Sequence, residues 1–430
     1  MTGTGPTIVV LGAADGSLTT YRTAAELGYR TIAVDWSAGA PAIPLADEYL
    51  PLSTRDLPAL VDALGGRRDI AGIVAPSSDI ALPTQRALAV ALGLPAPMSE
   101  LAVRASVDKS VVRELLGELG LPCCRWVGGD DPVALAARAA DLRFPVVVKP
   151  ADAQGGRGVA RCADPAEVDG AMWEAKRYSY SGRLMIEEEV EGEHCSCECV
   201  VDDGRVAFLA LTRMELSPRP MTMTMAHVMP AAPGDGVEAE IRSSLDRLCA
   251  RLGYRRGPLN ADVVITPDGV PYIIELGLRT GGNGLDALVR QCYGVDPVRA
   301  ALLAAVGAPA DLAPHPPRPV SWRVLTAPHA GELVSISGTE TVAAMPEVGE
   351  LVVLARPGQR VRPYLEVSDR LGWVVLRADT RAALDAAGRA VAAALRVDVA
   401  LVDEPEPVSV LTLPVPDAIE QASARPAGQP

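Results

Sequence analysis

The chain has 430 residues, of which 49% are hydrophobic and 22% charged, which suits roughly two to four domains of ~100–200 residues with ample material for cores. A formal net charge of −14 argues against a nucleic-acid backbone or an anionic membrane as the main partner. No apolar run approaches the ~20 residues that span a bilayer.

The opening "MTGTGPTIVVLG" lacks a basic leader and enters a strand at once, so no signal peptide is read there. "TIVVLGAADGSLTTYRTAAELGYRTIAVD" reads strand, tight loop, helix, strand, with Gly12 and Gly16 bracketing the loop and Asp35 closing the second strand. The loop is not G-x-G-x-x-G, which weakens the case for a nicotinamide site. "IAGIVAPSSD" is a further buried strand, and an open parallel sheet is expected over residues 1–107. "VDKSVVRELLGELGLPCCRWV" is a helix ended by Gly120 and Pro122 that leads into a strand. "FPVVVKPADAQGGRGVARC" reads strand, glycine-rich turn, strand. Two hairpins follow, turning at Asp203-Gly204 and Asp268-Gly269, with an amphipathic helix "IRSSLDRLCARLGY" between them. After the proline-rich "APHPPRPV", residues 318–402 read as a separate α+β module, and 403–430 as a proline-rich, poorly ordered tail.

The eight cysteines have no disulfide-framework spacing, which fits a reducing cytoplasm. Cys195, Cys197 and Cys199 alternate along a strand and are expected to pack on one face rather than bind metal. Lysine is nearly absent: Lys109, Lys149 and Lys176 are the three in the chain. Two of them fall in the stretches that carry chemistry. In "VVVKPADAQGGRG" a strand delivers Lys149 to a flexible loop with Gly155, Gly156 and Gly158, whose bare backbone can wrap phosphate oxygens. In "RLMIEEEVEG" a strand ends in acids from Glu187, and Glu193 follows Gly192. Asp262 and Glu275 sit on the two strands of one hairpin among apolar neighbours, where they can face each other and share Mg²⁺. Arg279 and a glycine-rich run follow Glu275 in "YIIELGLRTGGNG".

In this order and spacing the motifs resemble the ATP-grasp superfamily over residues 1–312. The resemblance implies an α/β architecture of three parts: an N-terminal parallel-sheet domain, a two-lobed ATP-grasp domain over 108–312 with a lid over about 123–185, and the C-terminal module. It implies ATP and Mg²⁺, with Mn²⁺ as a substitute ion. Lys109 and Lys149 would contact ATP phosphates under the glycines of the lid loop. Glu187 and Val190 would lie on the adenine linker through backbone atoms, and Glu193 would hold ribose. Asp262 and Glu275 would bind the metal, and Arg279 the transferred phosphate or acyl phosphate. "GELVSISGTETVAAMPEVGELVVLARPGQRV" and "RLGWVVLRADTRAALDAAGRAV" resemble the terminal domain of L-amino-acid ligases, which make dipeptides. On that likeness His227, in a methionine-rich loop, would flank the acyl carbonyl opposite Arg279. Asn283 follows the double glycine, four positions after Arg279, and would bound the substrate pocket if that loop turns back over the acyl site. One departure stands out. Where many relatives read E-x-N-x-R, with the asparagine on a second Mg²⁺, this chain has Gly277.

The expected function is an ATP-dependent carboxylate–amine ligase working through an acyl phosphate. Its partners would be small carboxylates and amines, amino acids by default, and a homodimer is an expected state. The rival readings are a carboxylase or purine-pathway ligase on the same scaffold, and a non-catalytic nucleotide-binding regulator.

Overall fold

The computed structural model describes residues 5–76, 78–217 and 223–401; the tail expected from 403 onward lies outside them. Strands β1 (Thr7–Leu11), β2 (Arg30–Val34), β3 (Glu48–Leu50) and β4 (Ile70–Val74) form a parallel sheet in the order β3-β2-β1-β4. Runs such as "TIVVL" are buried on both faces, as a covered parallel sheet requires. Helices α1 (Leu18–Glu26), α2 (Leu57–Leu64), α3 (Leu82–Ala91) and α4 (Glu100–Val107) accompany it. Asp108 then caps α5 (Lys109–Glu118) by accepting the Ser110 N–H at 2.9 Å, which fixes Lys109 as the first helical residue.

A small four-stranded antiparallel sheet follows. It contains β5 (Trp126–Gly129), β6 (Val146–Pro150), β7 (Ala160–Cys162) and β8 (Leu184–Glu188), in the order β5-β8-β6-β7. Helices α6 (Pro132–Ala139) and α7 (Pro165–Tyr178) cover it.

The central sheet begins with β9 (Glu193–Asp202), β10 (Arg205–Leu216) and β11 (Thr224–Met229). Helix α8 (Val237–Leu252) intervenes before the hairpin of β12 (Gly257–Ile265) and β13 (Pro271–Gly277). Cys195, Cys197 and Cys199 share one buried face of β9 and pack with the apolar stripe of α8, as their alternation predicts. Helices α9 (Leu285–Tyr293) and α10 (Pro297–Ala305) come next. The side chains of α10 enter the core of the N-terminal sheet beside Ile8 and Val10. Gly72 on β4 admits this approach: a Cβ there would lie 2.7 Å from the Ala305 carbonyl.

The remaining elements are β14 (Val320–Leu325), β15 (Gly331–Ser337), α11 (Thr339–Ala343), β16 (Val348–Val353), β17 (Arg360–Val361), β18 (Gly372–Arg377), α12 (Arg381–Ala394) and β19 (Arg396–Ala400). They do not form a wholly separate module. β14 pairs with β11, so β14, β18 and β16 extend the central sheet to eight strands in the order β13-β12-β9-β10-β11-β14-β18-β16. Pairing the edge of β11 satisfies a row of backbone groups that a detached module would leave open. β15, β17 and β19 make a small sheet of their own.

The turn into β9 is tight. A Cβ on Gly192 would sit 2.1 Å from the Ile265 carbonyl oxygen, an overlap with backbone that no rotamer relieves. Gly192→Ala is therefore expected to destabilise the fold by about 1–3 kcal/mol. A chemical-denaturation midpoint equal to that of the parent would contradict this packing.

Candidate active site

The middle of α5 and the ends of β6 and β8 meet at one buried carboxylate. Glu187 accepts from Arg113 Nε at 3.0 Å and from Lys149 Nζ. Arg113 is 1% exposed. Burial alone pushes the Glu187 carboxyl up, but Arg113 and Lys149 outweigh it and hold it below its ordinary value. Burial likewise pulls the Lys149 ammonium down, against the attraction of Glu187. This corrects the expectation for Glu187. Its backbone lies inside a ladder, opposite Trp126 on one side and Val147 on the other, so it is not a free linker edge. The backbone N–H and carbonyl of Val190 have no protein partner among the described residues.

The hairpin pairs Asp262 with Glu275 in register, the juxtaposition its spacing predicts. The register shifts just after this pair, leaving Ile274 as an extra residue on β13. A bulge frees carbonyls from the ladder, and Arg113 takes them: Nη1 donates to Ile273 O at 3.0 Å and Nη2 to Ile274 O at 2.8 Å. One guanidinium thus fixes both Glu187 and the backbone leading into Glu275. Lys109 Nζ lies 3.2 Å from Glu275 and donates to Ala153 O. Glu275 remains 39% exposed, facing the cleft. Burial and the Glu275 charge push the Asp262 carboxyl up to about 6. Two adjoining carboxylates that resist joint ionisation fit a hard divalent cation, which prefers oxygen donors.

Arg279 leaves the end of β13 and turns back to the N-terminal domain. Its Nε and Nη2 contact one oxygen of Asp79 at 3.0 and 2.8 Å, and its Nη1 donates to Thr280 O at 3.0 Å. Asp79 is 3% exposed. Gly277 is explained by this fold-back: a Cβ there would meet Asp79 Oδ1 at 3.1 Å and the Arg279 guanidinium carbon at 3.3 Å. Beneath the loop, buried Glu198 accepts from Gly281 N at 3.0 Å and Asn260 Nδ2 at 2.6 Å. Burial pushes Glu198 up to about 8, against those hydrogen bonds. A Cβ on Gly281 would lie 2.2 Å from Glu198 Oε1, so this glycine makes room for protein, whereas Gly282 faces open space. Asn283 adopts φ 54° and turns the chain into α9.

A cavity of about 370 Å³ gathers Gln154, Gly155 and Gly156 with Asn260, Asp262, Glu275, Arg279, Asn283 and His227. His227 is on a strand, opposite Met214 and Trp322, not in the loop the sequence implied. The residues around it, "TMAHVM", complete β11 because both edges of that strand find partners. His227 is 3% exposed, and its Nδ1 has no hydrogen-bond partner among the described residues. Burial lowers its pKa to about 4, so the imidazole is neutral near pH 7. Gly155, Gly156 and Gly158 all take positive φ, but only the first two line the cavity. Gly158 packs at the back, where a Cβ would meet Tyr178, Ala175 and Pro150 at 3.0–3.1 Å. Glu193 is exposed outside the cavity, and its neighbour His194 lines it.

Sequence reasoning missed Arg113, Asp79, Glu198 and Asn260. Asp79 lies 200 residues from its partner Arg279, and no local pattern announces such a contact. Glu198 carried a signal: a charged residue alternating with buried cysteines on a central strand.

Residues 142–286 match the ATP-grasp domain, and residues 323–400 match the L-amino acid ligase C-terminal domain 2. The chain is 28% identical over 345 residues to the uncharacterized protein y4rH of Sinorhizobium fredii, covering 79% of this chain and 71% of that one. It is 27% identical over 412 residues to a formate-dependent phosphoribosylglycinamide formyltransferase of Synechococcus, covering 89% and 98%. The solved L-amino acid ligase from Bacillus licheniformis superposes with a TM-score of 0.77 at 20% identity, covering 93% of this chain and all of that one. The biotin carboxylase domain of Hydrogenobacter thermophilus 2-oxoglutarate carboxylase, solved with MgADP, ADP and bicarbonate, gives 0.70 at 16% identity, with 91% and 90% coverage. The chain thus has the mixed α/β fold of ATP-grasp ligases, and structures of that fold hold ADP with Mg²⁺.

Two outcomes follow from the site itself. Asp79→Ala and Arg279→Ala should be non-additive in unfolding free energy, with a coupling of about 1–3 kcal/mol; additive effects would dissolve the pair. Asp262 must lose its proton to accept a cation. Mn²⁺ affinity measured by calorimetry should therefore weaken about tenfold per pH unit below 6 and level off above it. A flat profile from pH 5 to 8 would remove Asp262 from the metal site.

Proposed function

We propose that this ATP-grasp chain is an ATP-dependent carboxylate–amine ligase that joins amino acids through an acyl phosphate. The observation that carries the reading is His227: a buried imidazole, its Nδ1 without a hydrogen-bond partner among the described residues, in the same cavity as the acid pair and Arg279. A histidine that only ordered its strand would spend its nitrogens on protein.

A substrate carboxylate oxygen attacks the γ-phosphorus of ATP, the bond to the β–γ bridging oxygen breaks, and ADP leaves. Lys109 and Lys149 offset the phosphate charge, and the backbone around Gly155 and Gly156 shields the group from water. Asp262 and Glu275 would hold Mg²⁺, which supplies Lewis-acid polarisation of the phosphate oxygens when bound. The amine nitrogen then attacks the acyl carbon, and phosphate departs. Arg279 and His227 donate to the oxyanion that develops on that carbon. With a pKa near 4, His227 suits a neutral donor better than a proton store; the amine proton leaves with the phosphate.

A purine-type ligase is the second reading, motivated by the Synechococcus relative. Such a substrate carries a phosphate that needs cationic contacts. Among the described residues lining the cavity, Arg279 is the sole lysine or arginine. The C-terminal domain match also favours the amino-acid reading. A purely regulatory nucleotide binder fits less well, because the acids, both lysines and Arg279 form one connected arrangement.

The expected products with paired amino acids are ADP, phosphate and a dipeptide in equal amounts, resolved by chromatography and mass spectrometry. AMP with pyrophosphate would refute the reading. His227→Ala should lower dipeptide formation about 10²–10³-fold, with ATP-analogue binding near normal. Rates within a few-fold of the parent would remove the oxyanion role.

A further inference from the structure

We infer that the end of the cavity away from the acid pair is a subsite for a large apolar amino-acid side chain, with Tyr364 and Val367 of the C-terminal domain as its outer wall. The inference rests on the ligase reading above and names the substrate class for it.

The cavity has two unlike halves. The polar half lies over β12 and β13, where Asp262, Glu275 and Arg279 stand with the lid glycines above them. The other half lies over β10 and β11. Met214, Leu216 and Met223 line it, and Tyr364 and Val367 complete it. β9 separates β10 from β12, so the halves are about 10–14 Å apart at two to three strand spacings. The linker that the resemblance gives to adenine runs on the β12 side, since Gly192 sits against the Ile265 carbonyl. The nucleotide therefore has its place on one side of β9, and the apolar half faces whatever extends from the reacting carbonyl on the other. His227 lies on β11 within the apolar half, in register with Met214, and shares the cavity with Arg279.

Charge is kept out of this half. Arg213 and Glu215 flank Met214 on β10, but strand alternation sends them to the opposite face, where Glu215 pairs with Arg213 and Arg323. Among the described residues, no charged side chain lines the apolar half. A charged substrate side chain there would lose hydration and gain no partner, whereas an apolar one is favoured by leaving water. Methionine walls are pliable and polarisable, so several large apolar shapes are accommodated. The Sδ of Met223 also lies near Gly156, 3.9 Å from where a Cβ would be. The loop over the phosphate end thus reaches the apolar end as well.

The test is an ADP-release screen with product mass spectrometry, run on the full chain with leucine, methionine and phenylalanine against aspartate, glutamate and lysine. Each amino acid is offered alone and with alanine. The parent should favour the apolar set by about 10²-fold in kcat/KM. Val367 is 41% exposed, so Val367→Lys is compatible with folding. That variant should lose at least about tenfold on the apolar set, gain on aspartate and glutamate, and keep the parent KM for ATP. Equal turnover of leucine and aspartate by the parent would overturn the subsite while leaving the ligase reading intact. So would a Val367→Lys effect confined to the KM for ATP, which would make this half part of the nucleotide site. Absence of ADP release with every amino acid would instead remove the ligase reading on which the subsite rests.

Discussion

A carboxylate buried like Glu187 stays ionised only if cations surround it, because desolvating a charge costs several kcal/mol. Here Arg113 and Lys149 supply them. The consequence spreads outward. Arg113 belongs to the helix that follows the N-terminal domain, Lys149 and Glu187 belong to the small sheet, and the remaining donors of Arg113 hold the bulged carbonyls of Ile273 and Ile274. Those carbonyls precede Glu275, which faces Lys109 from the start of the same helix. Three parts of the chain are locked around one buried guanidinium, and the acid pair inherits its position from that lock. Losing one partner of such a network costs more than the contact itself, since the others are left buried and unpaired.

Much of this was legible in the sequence where the pattern is local. Alternation placed the three cysteines on one face of β9. Asp-Gly pairs marked both hairpin turns, and the second hairpin brings Asp262 opposite Glu275. Lys149 and the cavity-lining glycines could be read from a strand followed by a bare loop. What could not be read was long-range. Asp79 meets Arg279 from the N-terminal domain, and Arg113 reaches Glu187 and β13 from the middle of a helix whose sequence marks only its ends. Glu187 shows the limit well. A strand ending in three acids looks like a solvated edge or a linker, yet two neighbouring strands enclose its backbone and two cations enclose its side chain. His227 was misplaced for a related reason: a methionine-rich stretch near prolines reads as a loop until β10 and β14 offer both its edges a partner.

The glycines illustrate how one residue type serves unlike ends. Gly155 and Gly156 leave backbone exposed to the cavity. Gly158 makes room for the packing of α7, Gly281 for Glu198, and Gly277 for the return of Arg279 to Asp79. The absence of a side chain at 277 is thus tied to an ion pair between domains. The C-terminal domain likewise does more than append a module. By extending the central sheet through β14 it brings Tyr364 and Val367 to the rim of the cavity whose floor is laid by β10 and β11.

The central claim is that a substrate carboxylate is activated on phosphate within this cavity. Oxygen-18 tracing tests it most directly. With the amino-acid carboxylate labelled in both oxygens, a single turnover of the full chain with ATP and a second amino acid should deliver one labelled oxygen to inorganic phosphate and retain one in the amide carbonyl. Label found in AMP, or phosphate free of label while dipeptide forms, would contradict the account.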